Sequence, residues 1–266
     1  MFNIGDLAIT SLEKITAFEV NNGDYICTMD ELQDASLANS EEKQDIVGKQ
    51  GRKITSLKKN KSVTVSGTSG MISGPLLAKQ VGSEFEEGTF TVRCTDYTAV
   101  SGGKAKTEFK AAGSLGAEVH ELYIRNSDGT LGKKLTQSAE VAEGVYKYDP
   151  ATRTLEFHTD VADDTEIAVI YDREVKGARL QNLSDKYSGK ATLYIDCFAE
   201  DKCANVYYVQ IKIPKADFSG EFSLEMGDSQ TMHNFEAEAL AGACGSNGAL
   251  WEYTVFGADQ TEVGDE

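Results

Sequence analysis

A chain of 266 residues with a formal net charge of −17 is long enough to bury roughly three-quarters of its unfolded surface, and too acidic to grip nucleic-acid phosphates. It holds no run of about 18 apolar residues, which argues against a helical membrane span. Residues 1–15 carry Asp6, Glu13 and Lys14 without a long apolar stretch, unlike an export signal, so the five cysteines Cys27, Cys94, Cys197, Cys203 and Cys244 read as reduced thiols.

In chain order, residues 1–20 read as a loosely structured arm ending in a short strand over 15–20. Asn21-Asn22-Gly23-Asp24 is a turn, and alternation over 25–29 makes a hairpin with it. Residues 31–46 stay open between helix and extended chain: alanine, leucine and charge permit a helix, while Ser36, Asn39 and Ser40 weaken it. A basic stretch within 48–61 leads to a strand over 62–66. Residues 73–82 predict the one good helix, with Pro75 in the first turn and Gly82 just past the end. A strand over 90–100 is followed by a turn at Gly102-Gly103-Lys104. Strands are expected over 119–125, 146–149, 154–158 and 166–171, separated by turns such as Asn126-Ser127-Asp128-Gly129 and Asp149-Pro150-Ala151-Thr152.

The strongest pattern runs over 186–256, as five consecutive alternating segments. Ala191, Leu193, Ile195 and Cys197 interleave with Thr192, Tyr194 and Asp196. Tyr207, Val209, Ile211 and Ile213 interleave with Tyr208, Gln210 and Lys212. A reversal is expected at Pro214-Lys215-Ala216-Asp217, then alternation over 221–226, a turn at Gly227-Asp228-Ser229, and strands over 231–240 and 250–256. Period-two alternation bounded by turns is the signature of a sheet with one dry side. The expected organisation is a discontinuous β-sandwich domain over 1–116 and 176–258 and an acidic tail over 259–266; residues 117–175 read either as a small inserted β subdomain, which is preferred, or as more strands of the same sandwich.

Charge is segregated along the chain. From residue 216 to the end there are eleven acids and no lysine or arginine, whereas Lys49, Arg52, Lys53, Lys58, Lys59 and Lys61 stand together without an acid between them. The basic stretch is either a solvated loop or an arm that meets an acidic surface on a neighbouring copy, where complementarity sets register. The acidic strand faces are either water-facing or line a cavity in which negative charge is useful.

Catalytic constellations are lacking. His120, His158 and His233 fall in separate expected strands without a serine, cysteine or aspartate partner. His233 sits on an apolar face and reads as core. The glycines form no phosphate-binding loop, and Cys197 and Cys203 fit no zinc spacing. No enzyme, cofactor or metal is expected.

Three stretches carry a family resemblance: Asp45-Ile46-Val47-Gly48-Lys49-Gln50-Gly51-Arg52-Lys53, the hairpin over 146–171, and residues 211–240 with Pro214-Lys215-Ala216-Asp217-Phe218-Ser219-Gly220. Over about two-thirds of its length the chain resembles the major tail tube protein of tailed bacteriophages. The resemblance implies an all-β, mainly antiparallel sandwich or barrel with one short helix, assembling as hexameric rings with an inner β-barrel. Stacked rings form a hollow tube that conducts the genome, in a virion tail made in the bacterial cytoplasm. Its implied partners are further copies of itself, a tape measure, a tail terminator, and double-stranded DNA passing without specific binding. Asp196, Glu221, Glu225, Glu236 and Glu238 are then candidates to face the lumen. Lys49, Arg52, Lys53, Lys58, Lys59 and Lys61 are candidates for contacts between subunits. Two other readings remain: another virion protein of the head or head–tail joint, and a β-sandwich module binding a ligand such as carbohydrate, which needs an exposed aromatic platform.

Overall fold

The computed structural model describes residues 6–225, 232–242 and 247–257. The chain divides into two compact units, one from Met1–Glu84 with Leu180–Glu266 and one from Phe85–Arg179. The first opens with strands β1 (Leu7–Glu19), β2 (Tyr25–Met29), β3 (Leu32–Val47) and β4 (Lys53–Ser69) and helix α1 (Gly74–Val81). The second holds β5 (Glu86–Ala99), β6 (Lys104–Lys106), β7 (Val119–Arg125), β8 (Leu131–Gln137), β9 (Val145–Asp149), β10 (Thr154–Phe157) and β11 (Glu166–Arg179). The first unit then resumes with β12 (Lys190–Asp201), β13 (Val206–Phe218), β14 (Leu224–Glu225), β15 (Met232–Ala239) and β16 (Glu252–Gly257).

The first unit is a nine-stranded antiparallel sheet in the order β2-β1-β12-β13-β15-β4-β3; β14 pairs with β15, and β16 takes the part of β13's edge that β15 leaves free. Strand alternation sends Ile15 and Ala17, Leu193 and Ile195, Val209 and Ile213, Phe235 and Ala237, and Val63 and Val65 to the same face. There they form one core with Leu76 of α1. Each large side chain so buried contributes about 1.5–3 kcal/mol of transfer free energy. The fold therefore rests on keeping every strand in register, since a one-residue slip would turn its apolar set to water.

Helix α1 closes this core through a polar interlock. Ser73 caps it, its Oγ accepting from the Leu76 N–H at 3.4 Å. Gly82 ends it in the left-handed region at φ 70°; a Cβ there would lie 1.8 Å from the Tyr187 carbonyl oxygen, so only glycine fits. His233, fully buried on β15, accepts at Nδ1 from the Ser73 N–H (3.4 Å) and donates from Nε2 to Gln80 Oε1 (2.7 Å). Gln80 Nε2 in turn donates to the Asn234 carbonyl at 3.1 Å. His233 is thus a core residue, with both ring nitrogens engaged in holding helix to sheet.

The second unit is a seven-stranded sheet in the order β5-β11-β7-β8-β9-β10-β6, antiparallel except for β8 with β9. Its separate core includes Leu122, Leu135, Tyr146, Leu155, Ile167, Val169 and Tyr171. The hydroxyls of Tyr171 and Tyr148 accept from the backbone N–H groups of Phe109 and Ala111, both at 3.0 Å, which pins the segment after β6. This unit encloses the 117–175 segment expected as an insertion and adds β5, β6 and the chain between them.

Several expectations need correction. The N-terminal arm is a strand from Leu7, hydrogen-bonded to β12 along its length. Of the two alternatives for residues 31–46, the extended one holds, as Leu32–Val47 form β3. Pro214-Lys215-Ala216-Asp217 is not a reversal: β13 runs straight through it, because a bulge opposite Thr192 accommodates Pro214, which has no N–H to give to the ladder. The chain turns instead after Phe218, and among the described residues 221–225 only Leu224–Glu225 form a strand, β14. His158 lies just past β10, partly exposed, with Asp160 at 3.1 Å. The turn at Gly227-Asp228-Ser229, Cys244 and the acidic tail 259–266 lie outside the described residues.

Burial of neutral His233 holds its pKa below the ordinary histidine value. The folded protein therefore binds this proton less readily than the unfolded chain, so the contribution is full above about pH 6.5 and lost as pH falls below it. Urea unfolding at pH 7.5 and 5.5 should show a loss of at most about 1.4 kcal/mol per pH unit from this group, and His233→Gln should flatten that segment of the profile.

Candidate functional site

The outer face of the nine-stranded sheet carries the residues that bear on function, and it is chemically divided. Directly paired residues share a face, so the register defines each half. Over β15, β4 and β3, the outward residues are Asn234, Glu236 and Glu238; Thr64, Ser66 and Thr68; and Asp34 and Ser36. Ser36 and Ser66 hydroxyls bond across the strands at 3.0 Å, as do Ser40 and Ser62 at 2.7 Å. The loop before β14 folds over this half, with the Ser219 N–H donating to the Glu236 carbonyl (2.7 Å) and the Ser223 N–H to Asn234 Oδ1 (2.7 Å). Loop and sheet enclose a shallow cleft of about 590 Å³ whose charged lining is Asp34, Glu221 and Glu236.

Four of the five acidic candidates come together here. Glu221 lines the cleft, Glu236 and Glu238 project from β15, and Glu225 pairs with Met232 on the same side. All four are exposed, and none forms an ion pair among the described residues. Unpaired carboxylates of one sign on one face sustain a negative potential in front of it. Asp196 stands apart. Although on the outer face, it is only 7 % exposed, accepts from Gln210 Nε2 at 2.9 Å, and has Lys14 Nζ at 3.9 Å.

The half-sheet around Asp196 is aromatic. Phe18 meets Tyr194 edge-on at 5.6 Å and Tyr25 at 6.1 Å. Phe198, Tyr208 and Phe256 form a cross-strand row with centroids 4.9 and 5.0 Å apart. These side chains are only partly covered, and Phe18, Tyr25 and Tyr194 share a cleft of about 820 Å³ with Lys14, Glu19, Asp196 and Lys212. Sequence alternation places Tyr194 and Tyr208 opposite the core, but only the pairing of neighbouring strands brings them together with Phe18, Phe198 and Phe256.

The basic candidates occupy a hairpin rather than a loop. β3 and β4 pair from Leu32 with Ser69 to Val47 with Lys53, and no described residue of the pair beyond Val63 is buried. Lys49 sits in the 3-10 turn at the tip, Arg52 follows it, and Lys53, Lys58, Lys59 and Lys61 lie on β4. Alternation vanishes where both faces are wet, which is why this stretch reads as loop. The opposing strand supplies acids: Lys53 meets Asp45 at 2.6 Å and Lys58 meets Glu41 at 2.8 Å. These hydrogen bonds hold both carboxyls below their ordinary pKa. The distal hairpin nevertheless stays basic, with seven lysines and arginines against three acids over residues 41–61.

Among the described residues, no three of His, Cys, Asp and Glu gather as a metal-ligand set, and no helix is long and apolar enough to cross a membrane. Thiol chemistry is subdued. Burial pushes the Cys27 thiol up to about 11 and raises that of Cys197, while Cys203 is exposed in the turn after β12.

A family model described as the YomU/Tube protein family matches residues 7–252. No curated protein matches the chain.

Since the thiolate is the reacting species, brief maleimide treatment of native protein at pH 7.5 should modify Cys203 well before Cys27, with peptide mass spectrometry as the readout. Cys27 should become reactive only on unfolding.

Proposed function

The chain belongs to the YomU/Tube protein family, and from that premise we propose that it is the subunit of a phage tail tube, polymerising as stacked hexameric rings into a hollow conduit for the genome. The observation that carries this reading is the pair of open edges on the nine-stranded sheet. Among the described residues, β3 pairs with β4 on one edge and with no strand on the other over its 16 residues. At the opposite end of the strand order, again among the described residues, β2 has a free edge, and β1 is paired on that side only over Ile15–Phe18. A long unpaired edge is a template for another chain. Two different edges joined head to tail close into a ring, and a closed barrel removes them both.

In this assembly the acidic half of the outer face lines the lumen. Its hydroxyls and unpaired carboxylates offer phosphates water and like charge, so double-stranded DNA passes without sticking. The distal hairpin, with Lys49, Arg52, Lys53, Lys58, Lys59 and Lys61, reaches another subunit. The protein acts without catalysis or cofactor, in the virion tail, where a tape measure and a tail terminator complete the tube.

Sedimentation with negative-stain microscopy over a concentration series tests assembly, and hollow filaments or six-fold rings are expected. A chain that stays monomeric at every concentration, even when seeded with preformed tail tips, contradicts the reading. Replacing Lys58, Lys59 and Lys61 together with Gln should shorten the tubes while the circular dichroism spectrum of the monomer is unchanged. For the lumen, Glu221→Lys with Glu236→Lys should leave tubes intact and slow DNA ejection from virions; ejection at the parental rate would reject the acidic face as the lining.

A further inference from the structure

We infer that the aromatic half of the outer face is the seat for the distal β3–β4 hairpin of a second copy, and that apolar side chains at the hairpin tip anchor it. This rests on the reading that the chain assembles with itself, and adds which surface receives the arm.

The arm calls for a cover. Its strands run about ten residues beyond the last core-facing position, roughly 30 Å at strand rise. A two-stranded ribbon with no core of its own is marginal in water. Yet its end displays Ile54 (64 % exposed), Val47 (60 %), Leu57 (53 %) and Ile46 (41 %). The register pairs Gln44 with Leu57 and Ile46 with Thr55, so Ile46 and Leu57 share one face. Ile54 projects from the other, close over Gly48. Large apolar side chains exposed on both faces of a ribbon tip, amid charged neighbours, mark a protein-binding surface, and apolar anchors inside a polar rim are the usual anatomy of one.

The seat matches in chemistry and position. Phe18, Tyr25 and Tyr194 surround a cleft of about 820 Å³, large enough to admit side chains of this size. The Phe198, Tyr208 and Phe256 row continues the partly exposed aromatic surface beside it. Partly exposed aromatics are enriched where proteins meet. The charged lining of the cleft is balanced, Lys14 and Lys212 against Asp196 and Glu19, with Lys14 beside Asp196 and Lys79 paired to Glu19, so it is the aromatic rings that select an apolar tip. The occupant is a second copy because the arm runs away from its own seat: β3 leaves β2 at Met29–Leu32, and its tip at Val47 lies fifteen residues further along the strand, about 50 Å at strand rise, whereas the cleft belongs to β2, β1, β12 and β13. Such a contact is head to tail, and it repeats or closes.

A photoreactive phenylalanine analogue in place of Leu57, in a mixture of nitrogen-14 and nitrogen-15 chains, tests the contact. Cross-links are expected between chains, to peptides bearing Phe18 and Tyr25 or Tyr194, Phe198 and Tyr208. Separately, Ile54→Ser with Leu57→Ser should raise the minimum concentration for polymerisation at least ~10-fold, with the monomer's thermal unfolding unchanged; Tyr194→Ser should act in the same direction. Cross-links confined to one chain or directed elsewhere, or serine variants that polymerise like the parent, overturn the inference while leaving the tube reading intact. A parent chain that neither polymerises nor cross-links overturns both.

Discussion

Strands β1, β2, β4, β12, β13 and β15 of the nine-stranded sheet commit one face to a shared core, and the rest of the first unit follows from that commitment. The strands cannot slip without exposing the core, so the outward residues hold fixed neighbours. Hydroxyls and carboxylates therefore align over β3, β4 and β15, and aromatic rings over β1, β12, β13 and β16. The neutral interlock of Ser73, Gln80 and His233 closes the same core from α1 without placing a charge in it. A single inward constraint thus leaves an outward surface free to vary in chemistry from strand to strand.

Electrostatics then acts at two scales. Within the hairpin, Asp45 and Glu41 take up Lys53 and Lys58, exposed pairs each worth little to stability. Such pairs fix the register of the arm more than they stabilise the fold. Over the acidic half, by contrast, Glu221, Glu225, Glu236 and Glu238 have no cationic partner among the described residues. Their effect is a field in front of the sheet, which acts on a polyanion and is screened by salt. In the proposed tube the two arrangements would serve two tasks, contact with another protein and repulsion of a passing phosphate chain.

The sequence was most legible where alternation and punctuation agreed. Val119–Arg125 was found to the residue because a glycine-bearing turn follows an alternating run, and α1 because Pro75 and Gly82 bracket it. It was least legible where a strand is wet on both sides. The distal half of β4 carries Lys58, Lys59 and Lys61 with no buried residue, and so leaves no period to detect. β8 escaped for a similar reason, with Leu135 its one buried side chain. Pro214 misled because proline marks turns more often than bulges. The acidic cluster was visible as composition, but its separation from Asp196 depends on which strands are neighbours, a property of the sheet rather than of any one segment. The aromatic half stayed hidden because only the pairing of neighbouring strands brings Tyr194 and Tyr208 together with Phe18, Phe198 and Phe256.

In the proposed tube, two chemically distinct halves of one sheet face different neighbours. A cryo-electron microscopy reconstruction of assembled particles, at a resolution that traces strands, would show both. A six-fold ring is expected in which Glu236 and Glu238 face the central channel, while Tyr194 and Tyr208 are covered by another subunit. A ring with the β15 carboxylates on its outside, or with the aromatic half bare, would contradict that arrangement.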